Sequence, residues 1–163
     1  MKTVLLIIVC IMAISLSAEA QRKVVLHHQG NVTIFNSNNA FLDAYDASID
    51  GDTIYLPGGQ YGGLTLSKRL HIYGVGYHID STNATQYTYI SGSISFSDGS
   101  DGSIIQGLYI GSGITVNYGH KVDNLVIRRN YIGSTVSFSG DFNASESSKS
   151  SNIEFYENIV GDV

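Results

Sequence analysis

The chain has a single cysteine, Cys10, and only nine lysines and arginines against fourteen aspartates and glutamates in 163 positions. One thiol cannot form an intrachain disulfide, so the fold must be held by core burial and hydrogen bonding. A formal charge of −5 leaves no basic surplus, which argues against nucleic acid and anionic membrane as partners. Apolar runs of the roughly 20 residues needed to cross a bilayer are also missing, so no membrane insertion is expected. The longest run, Val4 to Ile14, follows Lys2 and precedes Ala18-Glu19-Ala20. That order, a basic residue, an apolar stretch and a small-x-small site, is that of a secretory signal peptide. Residues 1–20 are expected to be cleaved after Ala20, the thiol leaving with them, and the protein to be secreted or held at the cell surface. What remains is long enough for one domain.

Metal-ligand patterns are likewise lacking. Asp98-Gly99-Ser100-Asp101-Gly102 has neither the alternating acids nor the distal glutamate of a calcium loop. His27, His28, His71, His78 and His120 have no cysteine and no regular ligand spacing around them, so neither a metal nor a cofactor is expected.

What the chain does have is a repeat. Tyr89-Ile90-Ser91-Gly92-Ser93-Ile94-Ser95-Phe96 returns as Tyr109 to Val116 and as Tyr131 to Phe138, at spacings of 20 and 22 residues. A period of this length, with each copy too short to bury its own apolar side, predicts stacked units sharing one core. Tyr61-Gly62-Gly63-Leu64-Thr65-Leu66 is a shorter forerunner. Leu64 and Leu66 match Ile94 and Phe96, Ile114 and Val116, and Val136 and Phe138, and all eight are expected to point inward. A second phrase precedes each tyrosine phrase, at Leu70 to Gly74, Ile104 to Gly107, Asn124 to Asn130 and Asn152 to Asn158. Polar insertions, Val75 to Gln86 and Gly140 to Ser151, are expected to leave one corner of the stack.

Ahead of the repeat, Val24 to Leu26 and Val32 to Phe35 read as two strands about a turn at Gln29-Gly30-Asn31. Asn38 or Asn39 then caps a short amphipathic helix with Phe41, Ala44, Tyr45, Ser48 and Ile49 on one side, ended by Asp50-Gly51. The division is residues 21–50 as a cap and 51–163 as coils. Each period has too little chain for a crossover helix, so equivalent strands should stack in parallel about 4.8 Å apart. The six-residue beat of the left-handed alternative is not present.

Phe41 to Ala47 followed by Gly51-Asp52-Thr53-Ile54-Tyr55-Leu56-Pro57-Gly58-Gly59-Gln60-Tyr61 resembles the helix-then-first-coil entry of right-handed parallel β-helix proteins of the pectate-lyase-like superfamily. Asn124 to Ile132 and Asn152 to Val160 are similar to that superfamily's coil repeat, and the chain resembles secreted β-helix proteins of Bacteroidetes. The resemblance implies an all-β, right-handed parallel β-helix with a cap strand pair and helix, and an asparagine ladder at Asn130 and Asn158, with Leu108 in the preceding place. It also implies binding or cleavage of acidic polysaccharide along an outer face. Calcium would enter only with a lyase, and no calcium-and-base or multi-aspartate catalytic pattern maps onto consecutive coils. The sequence stops at Val160-Gly161-Asp162-Val163, in the middle of a further coil, which predicts that more coils or another subunit cover that end.

Strand alternation puts Arg128 outward with Val126 and Asn130, opposite Ile127. His71, Tyr73, Gln106, Glu154 and Tyr156 fall on or near the same face and together form a candidate sugar-contacting strip. Thr65, Ser95, Thr115 and Ser137 make a row of hydroxyls on another face. Three functions stay open: a non-catalytic structural, adhesive or polysaccharide-associated protein; the N-terminal part of a polysaccharide lyase or glycoside hydrolase; and an ice- or crystal-binding solenoid.

Overall fold

A computed structural model describes residues 23–78, 86–138 and 149–161. The expected leader and most of both polar insertions, residues 79–85 and 140–148, lie outside the described residues. The protein is mostly β, with three sheets whose pairings are parallel from the third strand onward.

The cap comes first. Strands β1 (Val24–His28) and β2 (Asn31–Phe35) form an antiparallel hairpin, and helix α1 (Ala40–Ala47) follows. The hairpin turns through Gln29 and Gly30, with φ of 44° and 84°, the pair of left-handed residues that a tight two-residue turn requires. Asn39 caps α1 without a side-chain bond to the helix. Ser37 steadies the entry, its Oγ accepting from the Asn39 amide and donating to Asp43. The helix is shorter than the periodicity predicts. It ends at Ala47 because Ser48 turns to extended backbone, its amide on the Tyr45 carbonyl. Ile49 consequently leaves the helical face and is exposed instead of facing the core. Lys68 closes the helix C-terminus, donating from Nζ to the carbonyls of Tyr45 and Ser48 at 2.6 and 2.7 Å, where a cation also suits the helix dipole.

From β3 onward the chain runs through the three sheets in fixed order. β3 (Asp52–Leu56), β4 (Gly59–Tyr61) and β5 (Leu64–Leu66) make the first circuit; β6 (Leu70–Gly74), β7 (Thr88–Ile90) and β8 (Ile94–Phe96) the second. β9 (Ile104–Gln106), β10 (Tyr109–Ile110) and β11 (Ile114–Val116) make the third, and β12 (Val126–Arg128), β13 (Tyr131–Ile132) and β14 (Val136–Ser137) the fourth. β15 (Glu154–Tyr156) and β16 (Ile159–Val160) begin a fifth. The seven-stranded sheet has the order β15-β12-β9-β6-β3-β1-β2, the five-stranded sheet β16-β13-β10-β7-β4, and the four-stranded sheet β14-β11-β8-β5.

Register converts the repeat into interior columns. Leu26, Ile54, Ile72, Ile105 and Ile127 are successive partners in the seven-stranded sheet, and all are buried. Tyr61, Ile90, Ile110 and Ile132 form the second column. Ile94 and Ile114 lead a third, flanked by Leu64 and Val136, and Leu66, Phe96 and Val116 a fourth. Leu64, Val136 and Phe138 are only partly buried. Each fully buried aliphatic side chain contributes about 1.5–3 kcal/mol before chain entropy is counted, so the stack supplies what one circuit lacks. Tyr61 pairs with Ile90, while Gln60 pairs with Tyr89. The first circuit's turn is one residue shorter, and its tyrosine faces in where the later ones face out.

Left-handed residues turn the corners on both sides of the seven-stranded sheet. Gly102, Asn124 and Asn152 occupy the corner before β9, β12 and β15, with φ of 74°, 59° and 53°. Gly107, Arg129 and Glu157 occupy the corner after them, at 75°, 54° and 55°. One circuit uses glycine and the others tolerate a side chain, with asparagine the residue that best accepts this conformation. Arg129 and Glu157 form an exposed ion pair, Nε to Oε2 at 2.6 Å.

Candidate functional site

The outer face of the seven-stranded sheet carries two side-chain columns. One runs Tyr55, Tyr73, Gln106, Arg128, Tyr156, each the register partner of the last. Val25 and Ile34 extend it across the cap. The other runs Thr53, His71, Ile104, Val126, Glu154. In the first column the polar members are tied together. Arg128 donates from Nε to Gln106 Oε1 at 2.7 Å and from Nη1 to Tyr156 Oη at 2.8 Å. The bond to Tyr156 raises the guanidinium above its ordinary pKa, so Arg128 is a fixed cation. Tyr73 lies against Tyr55, ring centres 5.7 Å apart and planes within 25°.

Of the six sequence candidates, the register thus brings Tyr73, Gln106, Arg128 and Tyr156 into one line. His71 and Glu154 stand in the neighbouring column, separated by Ile104 and Val126. Burial, reinforced by Arg69, lowers the His71 pKa and so disfavours a positive charge on its imidazole. Asn130 is not on the face at all, which corrects the simple alternation. The left-handed Arg129 rotates the chain by a step, and Asn130 turns into the interior with no exposed surface. There its Oδ1 accepts from the Leu108 amide and its Nδ2 donates to the Ile105 carbonyl, both at 3.0 Å. Asn158 repeats the arrangement one circuit on, its Oδ1 accepting from the Asn130 amide and Nδ2 and its Nδ2 donating to the Ile127 carbonyl.

Tyr55 is the site residue that sequence reasoning missed. Its signal is the match of Thr53-Ile54-Tyr55 to His71-Ile72-Tyr73, obscured because the preceding helix draws attention to the entry motif. A second aromatic surface was legible only as a repeat: Tyr89, Tyr109 and Tyr131 stack outside the five-stranded sheet with Tyr77 and Tyr87 beside them. Tyr109 and Tyr131 have ring centres 4.6 Å apart. Tyr109 and Tyr131 are stacked, Tyr89 meets Tyr109 edge-on, and Tyr77 and Tyr87 lean on the group, so the cluster packs the insertion's ends onto the sheet with its rings half-buried. The hydroxyl row is in register, but Ser95 and Thr115 bond to each other at 3.1 Å and are not both turned to an external lattice.

Two histidines have structural partners, His28 in the cap and His120, whose Nδ1 lies 3.1 Å from Asp98 Oδ2. His28 Nδ1 lies 2.8 Å from Oδ1 of the buried Asp52, tying the hairpin to the first circuit. Among the described residues no three His, Cys, Asp or Glu side chains gather as a metal site. No helix among them is long and apolar enough to cross a membrane. A cleft of about 140 Å³ between α1 and the β4–β5 turn, lined by Asn38, Asn39, Phe41, Leu42, Tyr61 and Leu64, is smaller than the roughly 300 Å³ at which ligand pockets begin.

Carboxylates at another corner hold successive circuits. Asp101 Oδ1 accepts from the Asp123 amide at 2.7 Å, and Asp123 Oδ1 accepts from the Ser151 amide at 2.7 Å. Asp98 accepts from the Lys121 amide at 2.9 Å. At Asp98 and Asp123 such bonds favour the ionised form. The Lys121 amide, then His120, holds Asp98 below its ordinary 3.8, and the Lys121 side chain, then Ser151, does the same for Asp123. A depressed folded pKa gives stability that is present above the unfolded value and is lost as pH falls through the folded one. Denaturant midpoints should accordingly drop as pH goes from about 5 to below about 3.8, and Asp123→Asn should flatten that dependence. An identical acid profile in wild type and variant would show that this corner does not contribute.

No family model, curated protein or solved structure matches the chain.

Proposed function

We propose that the circuits wind as a right-handed parallel β-helix in a secreted or cell-surface protein, and that the protein attaches to polysaccharide, without catalysis, along the outer face of the seven-stranded sheet. The observation that supports this most is the Tyr55–Tyr73–Gln106–Arg128–Tyr156 line. Aromatic rings suit the apolar faces of pyranose rings, and the amide and guanidinium suit hydroxyls and carboxylates. The strand spacing of about 4.8 Å gives such a line the reach to follow an extended chain past several circuits. The signal-like leader is consistent with an extracellular setting. Glycan-array binding compared between wild type and Tyr73→Ala/Tyr156→Ala tests the reading. Loss of at least about tenfold in affinity, or about 1.4 kcal/mol, is expected from removing two contact rings. Unchanged binding in a folded double variant would remove this face from consideration.

A further inference from the structure

β2 is the outer strand of the seven-stranded sheet, and among the described residues no strand pairs with its far side. Val32 is 61% and Ile34 54% exposed, high for aliphatic residues within a strand. Their backbone is outward as well. β1 and β2 pair from His28 and Asn31 across the two-residue turn. In such a hairpin the turn-flanking residues exchange both hydrogen bonds, and bonded and non-bonded pairs then alternate. Asn31, Thr33 and Phe35 therefore direct their amides and carbonyls to β1, while Val32 and Ile34 direct theirs to the free edge. The same two residues carry the exposed aliphatic side chains and the unpaired backbone groups.

We propose that this edge docks a second copy of the chain, β2 lying antiparallel to β2 of its partner about a two-fold axis at Thr33. Val32 then exchanges both hydrogen bonds with the partner's Ile34, and Ile34 with the partner's Val32. Every outward amide and carbonyl of both strands is satisfied, and the exposed aliphatic side chains meet on one face of the joined sheet. The strand suits its own copy in a further way: Asn31–Phe35 contains no charged residue, so no like charges oppose one another across the axis. Edge strands that remain single are commonly blocked by lysine, proline or a bulge, and β2 has none of these. Dimerisation would align the outer faces of two copies in one continuous sheet. This inference stands on the hairpin alone and does not depend on the polysaccharide reading.

Sedimentation of the purified protein over a wide concentration range should show a monomer–dimer equilibrium. Ile34→Pro, which removes an outward amide, and Val32→Lys, which places a charge on the edge, should each weaken it at least about tenfold. Thermal unfolding of each variant reports whether it has folded, and Val32→Lys leaves the backbone intact should Ile34→Pro fail. Thr33→Cys in a Cys10→Ser background gives the positional test. Thr33 is exposed and falls in a non-bonded pair on the axis, where Cα atoms about 4.5 Å apart lie within disulfide range, so mild oxidation should give a covalent dimer. A wild type that stays monomeric throughout, a dimer that survives Val32→Lys undiminished, or a Thr33→Cys chain that does not cross-link would each overturn the proposal.

Discussion

Phe96→Ala should destabilise the protein by about 3–5 kcal/mol, a large share of the 5–15 kcal/mol typical of a whole domain. Phe96 has no exposed surface and sits between Leu66 and Val116 in its column, the largest side chain between two smaller ones. Its neighbours above and below are fixed by parallel pairing, so they cannot close over the space an alanine leaves. The loss should appear as a lower denaturant midpoint with little change in slope, because the same surface is still exposed on unfolding. Phe96→Leu, which keeps most of the volume, should cost far less. Equal losses for the two variants would mean that the column is not packed as described.

Asn130→Ala should cost at least about 2 kcal/mol by a different route, since each buried polar group left without a partner costs about 1–3 kcal/mol. The Leu108 amide and the Ile105 carbonyl both lose their bond to the Asn130 side chain, and Asn158 loses one of the donors its Oδ1 accepts. Asn130→Leu makes the comparison informative. Leu108 occupies the equivalent place one circuit earlier and is fully buried, so the site can hold an aliphatic group. Leucine at 130 restores apolar contact but not the hydrogen bonds. If its unfolding free energy matched that of wild type, packing and not the amide ladder would be what holds this corner.

The tyrosine phrase carries the architecture because three properties coincide in it. The tyrosine marks an outward position, the isoleucine after it an inward one, and the glycine-containing turn between strands keeps the same length in the last three copies. Ile90, Ile110 and Ile132, and Ile94, Ile114 and Val136, can be placed in register from that alone. The first circuit is less legible. Its turn has one residue fewer, so Tyr61 takes the place of Ile90 and not of Tyr89, and period counting alone does not reveal which end of the phrase has lost a position. Corners defeat alternation for a related reason. A period of two places Asn130 beside Arg128, but the left-handed Arg129 between them changes the direction of the chain, and arginine gives no local hint that it will adopt that conformation. Ile49 fails at the helix end, where the backbone bond of Ser48 stops the helix before the apolar pattern does.

The candidate face follows the same division. Residues within one strand are ordered by the pleat, so Arg128 opposite Ile127 can be read from sequence. Which residues share a column depends on how many residues each insertion contains, and composition does not determine that. Tyr73 and Gln106 are partners although 33 positions apart, and Arg128 and Tyr156 although 28 apart.

Those unequal separations have a consequence for how such a molecule can change over time. β3 to β6 takes 18 residues and β6 to β9 takes 33, yet both steps advance the sheet by one strand. Loop length and height along the axis are thus independent variables. Duplication of a segment of about one period would lengthen the rod by a single step of roughly 4.8 Å and leave the older layers where they were. Insertion within a corner would add lateral decoration and no height. Gene length is therefore a poor ruler for this architecture, and the number of tyrosine phrases a good one.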